Sequence, residues 1–324
     1  MLRYLPASGI KRAVSNYPLR AMERAWESRG ITPVPNPQSE VEVFVAKVIS
    51  KLRFVRNVHR SRQGPILVAL MGYGESRLLP KCFTNEFIPY CFDCWEPMYE
   101  RWESFFRRHR IRVAMFSARQ SAEYFDKRIP EMRSTWIPEA LDPAEYLPGG
   151  PLPQRDIDVF ELGRRLDRYH EAITEPLKRN GATHLYEKLK GTIVFPGKQE
   201  FLDGLSRSKV SVCFPSSITH PERSGNVETL TLRYFESMAS RCIVVGQCPS
   251  ELRHLFGYNP VVEIENGHEA DQLLEIVKTP ERFQPLVDRN YQRLLELGTW
   301  ERRVDEMLQF IFDGHPQPEF IKVA

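Results

Sequence analysis

Val210-Ser-Val-Cys-Phe214, then Pro215-Ser-Ser-Ile-Thr-His-Pro-Glu-Arg-Ser-Gly-Asn-Val-Glu228, then Thr229-Leu-Thr-Leu-Arg-Tyr-Phe-Glu-Ser-Met-Ala239, then Cys242-Ile-Val-Val245: this run decides the fold. Its first and last pieces are short and mostly apolar, as strands buried on both faces of a parallel sheet should be. A helix expected from about Leu230 to Ser240 joins them, and parallel strands need such a crossover. The polar loop between strand and helix is where an α/β sheet presents groups to a ligand.

The alternation extends in both directions. Upstream lie an expected strand Ile157–Leu162, a helix Glu171–Arg179, a strand Thr192–Phe195 and a helix Glu200–Ser206. Downstream come a strand Val261–Ile264, helices Asp271–Val277 and Phe283–Leu297, and a last helix from Trp300 to about Phe312, with Val304, Met307, Leu308 and Ile311 at helical spacing. The N-terminal part reads as a second set: strand Leu2–Leu5, helix Leu19–Ser28, strand Ile31–Val34, an amphipathic segment Val41–Val58, and strand Pro65–Met71 closed by Gly72-Tyr-Gly74. Strand Phe87–Phe92, helix Met98–His109, strand Ile111–Phe116, a helix near Ser121–Lys127 and strand Ser134–Ile137 complete it. Leu147-Pro-Gly-Gly-Pro-Leu-Pro-Gln154 is the richest Pro/Gly stretch and reads as the linker. The expected class is α/β, two Rossmann-like domains facing a cleft: 1–147, completed by the C-terminal helix 300–324, and 156–298.

Length and composition agree with that division. A chain of 324 residues, 42% hydrophobic and 27% charged, suits two folded domains. A net charge of +3 argues against a polyanion binder, so nucleic acid is not an expected partner. No apolar run is long enough to span a bilayer and no secretory leader is legible, so the expected address is cytoplasmic. The arginines of Trp102–Arg112 and Leu52–Arg62 add the option of peripheral contact with the inner membrane face. Cys91-Phe-Asp-Cys94 has metal-site spacing, but no second pair completes four ligands, so its thiols read as buried apolar groups and no metal is expected.

Chemistry concentrates around Glu228 and Glu236. If the helix begins at Thr229, one acid precedes it and the other lies about two turns along the same side. Such a pair can grip two hydroxyls, on a transferred sugar and on a ribose, while amides at the helix start hold a diphosphate. His220 and Asp93 are the candidate catalytic groups, able to take a proton from an attacking hydroxyl.

These residues resemble the E-x7-E region of GT-B glycosyltransferases, especially the "glycosyl transferases group 1" enzymes and their CgeB-like relatives. Glu228, Arg233, Phe235, Glu236, Met238 and Ala239 carry the match, with strand Cys242-Ile-Val-Val245 after them. Asp156-Ile-Asp-Val-Phe-Glu-Leu-Gly163-Arg-Arg-Leu-Asp-Arg168 is similar to that family's first C-domain strand and its phosphate-facing loop. Phe195-Pro-Gly-Lys198 resembles a loop beside the nucleobase. Trp136-Ile-Pro-Glu-Ala-Leu-Asp142 resembles the close of the N-domain, and the Trp300 helix one that crosses back to it. The resemblance implies transfer of a sugar from a nucleoside-diphosphate-sugar to an acceptor hydroxyl, without an obligatory metal and with no cofactor. Implied donor contacts are Gly163, Arg164, Arg168, Gly197, Lys198, Asn226, Glu228, Thr229, Arg233 and Glu236. The acceptor stays open among a glycan, a lipid-linked glycan, a protein and a small molecule. Two other readings stand beside this one: a non-catalytic two-domain ligand-binding protein, and a nucleic-acid-modifying glycosyltransferase.

Overall fold

The computed structural model describes residues 2–6, 17–35, 44, 64–72, 78, 85–189 and 192–313. The expected segment Val41–Val58 and the Leu52–Arg62 arginines fall outside the described residues, Phe44 apart. The chain divides into two compact units. Unit 1 comprises Met1–Pro138, Ser224–Val227 and Trp300–Ala324, and unit 2 comprises Glu139–Arg223 and Glu228–Thr299.

Unit 1 contains β1 (Arg3–Leu5), α1 (Tyr17–Ser28), β2 (Thr32–Pro33), β3 (Ile66–Met71), β4 (Phe87–Phe92), α2 (Tyr99–Arg108), β5 (Val113–Phe116), α3 (Arg119–Arg128) and β6 (Arg133–Trp136). Its six parallel strands run in the order β2-β1-β3-β4-β5-β6. Every residue of β4 is buried, which is why this strand reads as an unbroken apolar run rather than an alternating one. On α2, Trp102, Phe105 and Phe106 face inward with Phe116 and Phe125, while Arg101, Arg107 and Arg108 are exposed. The C-terminal helix Trp300–Phe312 packs here: Arg29 clasps Asp305 with two hydrogen bonds of 2.7 and 2.9 Å, and Trp300 meets Tyr90 edge-on.

Unit 2 contains β7 (Ile157–Glu161), α4 (Asp167–Arg179), β8 (His184–Leu185), α5 (Lys198–Ser206), β9 (Ser208–Cys213), α6 (Ser216–Thr219), α7 (Pro221–Ser224, ending in unit 1), α8 (Leu232–Ala239), β10 (Ile243–Gly246), α9 (Ser250–Phe256), β11 (Val262–Glu263), α10 (Glu269–Lys278) and α11 (Gln284–Leu297). The parallel sheet runs β11-β10-β9-β7-β8. Strand order therefore reverses between β7 and β9, and ligands of open α/β sheets bind outside the carboxyl ends of strands at such a reversal. The loops that matter are those after β7 and after β9.

Three expectations change. Thr192–Phe195 is not a strand: the Phe195 ring packs on Phe160 and over Gly204, and His184–Leu185 takes the edge position beside β7. The expected linker 147–154 lies inside unit 2 because Arg155, 6% exposed, holds it there. Its guanidinium donates to the carbonyls of Gly150 (2.9 Å), Ser208 (2.8 Å) and Ser240 (3.1 Å), tying the Pro/Gly stretch to the start of β9 and the end of α8. The chain instead passes between units at Pro138–Glu139. The third change, the start of α8, belongs to the site.

Candidate active site

After β7 the backbone turns at Gly163, whose φ of +78° is left-handed. A Cβ there would come 3.2 Å from the Arg233 guanidinium carbon, so the left-handed backbone calls for glycine and the guanidinium leaves little room for a side chain. Arg233, expected on the donor, lies over this loop and donates Nη1 to the carbonyls of Leu162 (3.1 Å) and Arg164 (3.4 Å). It fixes the loop that carries Arg164, which is half-buried. Arg168 is exposed on α4, with Nη1 3.4 Å from Asn266 Oδ1, and Arg165 pairs with Asp167.

The helix after the β9 loop begins at Leu232, not at Thr229 or Leu230. A buried carboxylate that pattern reading missed is the reason: Glu251 Oε2 accepts the Leu230 amide at 2.9 Å and keeps residues 229–231 outside the helix. Glu228 therefore stands in the preceding segment, where its Oε2 accepts the Ser250 amide at 3.1 Å. The two acids do not share one helix. The hydroxyls of Ser216 and Ser217, just after β9, and of Thr229 and Thr231, on either side of Leu230, are buried and have no hydrogen-bond partner. Thr231 is the N-cap of α8, yet its side chain makes no capping bond. An unsatisfied buried hydroxyl costs about 1–3 kcal/mol, so each of the four has capacity for a polar partner.

Glu236 lies within α8, and its Oε1 accepts the Tyr146 hydroxyl at 3.1 Å. The neighbouring Glu145 takes Lys198 Nζ at 2.6 Å. One short turn, Pro143–Glu145, capped by Asp142 on the Ala144 amide, thus orients two expected donor contacts. Gly197 caps α5, with its amide on Glu200 at 3.3 Å. His220 is half-buried at the end of α6, its amide 2.8 Å from the Ser216 carbonyl.

Two expected site residues belong to unit 1. Asp93 follows β4 with a φ of +50°, in the left-handed region that aspartate enters more readily than most residues. Asn226 is held by Glu96, whose Oε2 accepts its amide at 2.9 Å and its Nδ2 at 3.3 Å, and its carbonyl accepts Gln120 at 3.0 Å. Cys91 and Cys94 are buried, and burial pushes both thiols well above their ordinary range, as suits inert core groups. Cys82 lies outside the described residues. No described helix is long and apolar enough to cross a membrane.

Residues 164–309 match the family described as "Glycosyl transferase-like". The match takes in Arg164, the β9 loop, both acids and most of the C-terminal helix. The architecture is that of GT-B glycosyltransferases. Anabaena Alr3699/HepE, solved in complex with UDP and glucose, superposes with a TM-score of 0.55 over 95% of this chain and 99% of its own, at 10% identity. AviGT4, a glycosyltransferase involved in Avilamycin A biosynthesis, gives 0.53 over 91% and 88%, at 15% identity. TarM gives 0.54 at 13% identity, covering 82% of this chain, which spans 57% of TarM. At such identities the likeness is one of fold. No curated protein sequence matches the chain.

Proposed function

We propose that this chain transfers a sugar from a nucleoside-diphosphate-sugar to an acceptor hydroxyl. The carrying observation is the pair of loops at the sheet's reversal point, the one after β7 that carries Arg164 and the one after β9 that leads to Glu228 and Glu236. A half-buried Arg164 suits a diphosphate, and the two carboxylates suit sugar and ribose hydroxyls. HepE's complex with UDP and glucose supports a nucleotide-sugar as the ligand class. In the reaction the bond from the anomeric carbon to the diphosphate oxygen breaks and a bond to the acceptor oxygen forms. The acceptor proton passes to a base, for which His220 and Asp93 are the candidates, and Arg164 with the hydroxyls steadies charge on the departing diphosphate. These protein groups take the part a metal plays elsewhere, so added Mg2+ or Mn2+ leaves the rate unchanged.

The test is a panel of UDP-, GDP-, TDP- and ADP-sugars, scored by thermal shift and slow donor hydrolysis, on wild type, Glu236→Ala and Thr229→Val. Stabilisation by one donor, lost in both variants, supports the reading. Silence towards every nucleotide overturns it in favour of a binding protein for another ligand.

A further inference from the structure

Outside this site, Glu161, His170 and His184 meet from three elements: the end of β7, the first turn of α4 and the edge strand β8. Glu161 Oε1 lies 2.5 Å from His170 Nδ1 and 2.8 Å from His184 Nε2. The three side chains are only 4%, 13% and 6% exposed. The Tyr186 ring packs on both imidazoles, with centroids 4.5 and 4.7 Å away.

Thr174 donates its hydroxyl to the His170 carbonyl at 2.6 Å, and its oxygen lies about equally far from both ring nitrogens, 3.5 Å from Nδ1 and 3.4 Å from Nε2. Glu161 Oε1 is thus the common partner of two imidazoles, and a carboxylate this deeply buried is stabilised by a positive charge where they meet it. We propose that this charge is a divalent cation of the zinc class, held by Glu161, Nδ1 of His170 and Nε2 of His184, with water as the fourth ligand. Two imidazoles and a carboxylate are a zinc donor set. Bonds of about 2.0–2.1 Å to a tetrahedral ion set neighbouring donors roughly 3.3 Å apart. The three atoms already lie within 4.8 Å of one another, so side-chain rotation suffices. The ion would join β7, α4 and β8 just behind the loop 162–166, as a structural clasp independent of the transferase reading.

The full chain, stripped with EDTA and titrated with Co2+, is expected to bind one ion with the intense visible absorption of four-coordinate cobalt. Equimolar Zn2+ displaces it and raises the unfolding temperature. Glu161→Gln and His184→Gln, checked for folding by circular dichroism, weaken Co2+ binding by at least about 100-fold. In wild type, Co2+ shifts the NMR signals of two histidines, a readout that stands if a variant fails to fold. Absence of a saturable Co2+ site, unchanged affinity in folded variants, or no shifted histidine signals overturns the proposal and leaves a proton as the bridging charge.

Discussion

Gly163 and Arg233 work as a pair, in which the glycine admits the guanidinium and the guanidinium sets the course of the loop that carries Arg164. Gly163→Ala is expected to cost about 1–2 kcal/mol in backbone strain and to weaken nucleotide binding, read by calorimetry of donor titrations. Glu236→Ala should lower kcat/KM by roughly 10–100-fold, the worth of about 1.5–3 kcal/mol for a hydrogen bond to a charged group. Tyr146→Phe removes only the brace on that carboxylate and should cost less, about tenfold. At this scale the sequence marked the acids as candidates through spacing and resemblance. It did not show Tyr146, Glu251 or the orphan hydroxyls, because a partner 90 residues away or a buried carboxylate taking one amide leaves no period in the chain.

Elements were legible where they are long and regular. The C-terminal helix reads directly from Val304, Met307, Leu308 and Ile311, all buried. The two-residue edge strand β8 has no pattern to detect, and apolar Val194-Phe195 imitates one. Between elements the forces are clearer. Phe106, stacked on Trp102 and meeting Phe116 and Phe125 edge-on, should cost about 3–5 kcal/mol when cut to alanine, measured by urea unfolding. Glu103 joins α2 to α3 through Arg128 and also takes Arg107 of its own helix, both at 2.9 Å. Burial pushes its carboxyl up, but hydrogen bonds from Arg128 and Arg107 outweigh that and hold it below the ordinary 4.5. A lowered native pKa gives stability that is present above pH 4.5 and is lost as pH falls through the native value. Glu103→Gln should therefore be less stable by about 1 kcal/mol at pH 7, with the gap closing in acid.

For the whole molecule, two α/β units with parallel sheets followed from the alternation of apolar runs and amphipathic helices. The point of division did not, because Pro/Gly richness signals a bend and says nothing of what pins it. Arg155 pins it, and Arg155→Met should destabilise unit 2 by about 3 kcal/mol, since three carbonyls lose their donor. A saturating donor at 100 times its Kd should raise stability by about 2.7 kcal/mol, a shift that calorimetry can follow.

The C-terminal helix belongs with unit 1, clasped at Arg29 and seated on Tyr90, although all of unit 2 lies between it and the other strands of that unit. On the ribosome, residues 139–299 therefore emerge before the piece that finishes the unit begun first. Until Trp300–Phe312 is released, the face that holds Tyr90 and Arg29 lacks its cover, while unit 2 has its whole sheet in hand. Birth order and completion order are thus reversed: the half that starts first closes last, and a nascent chain stalled short of Trp300 carries a finished unit 2 beside an open unit 1.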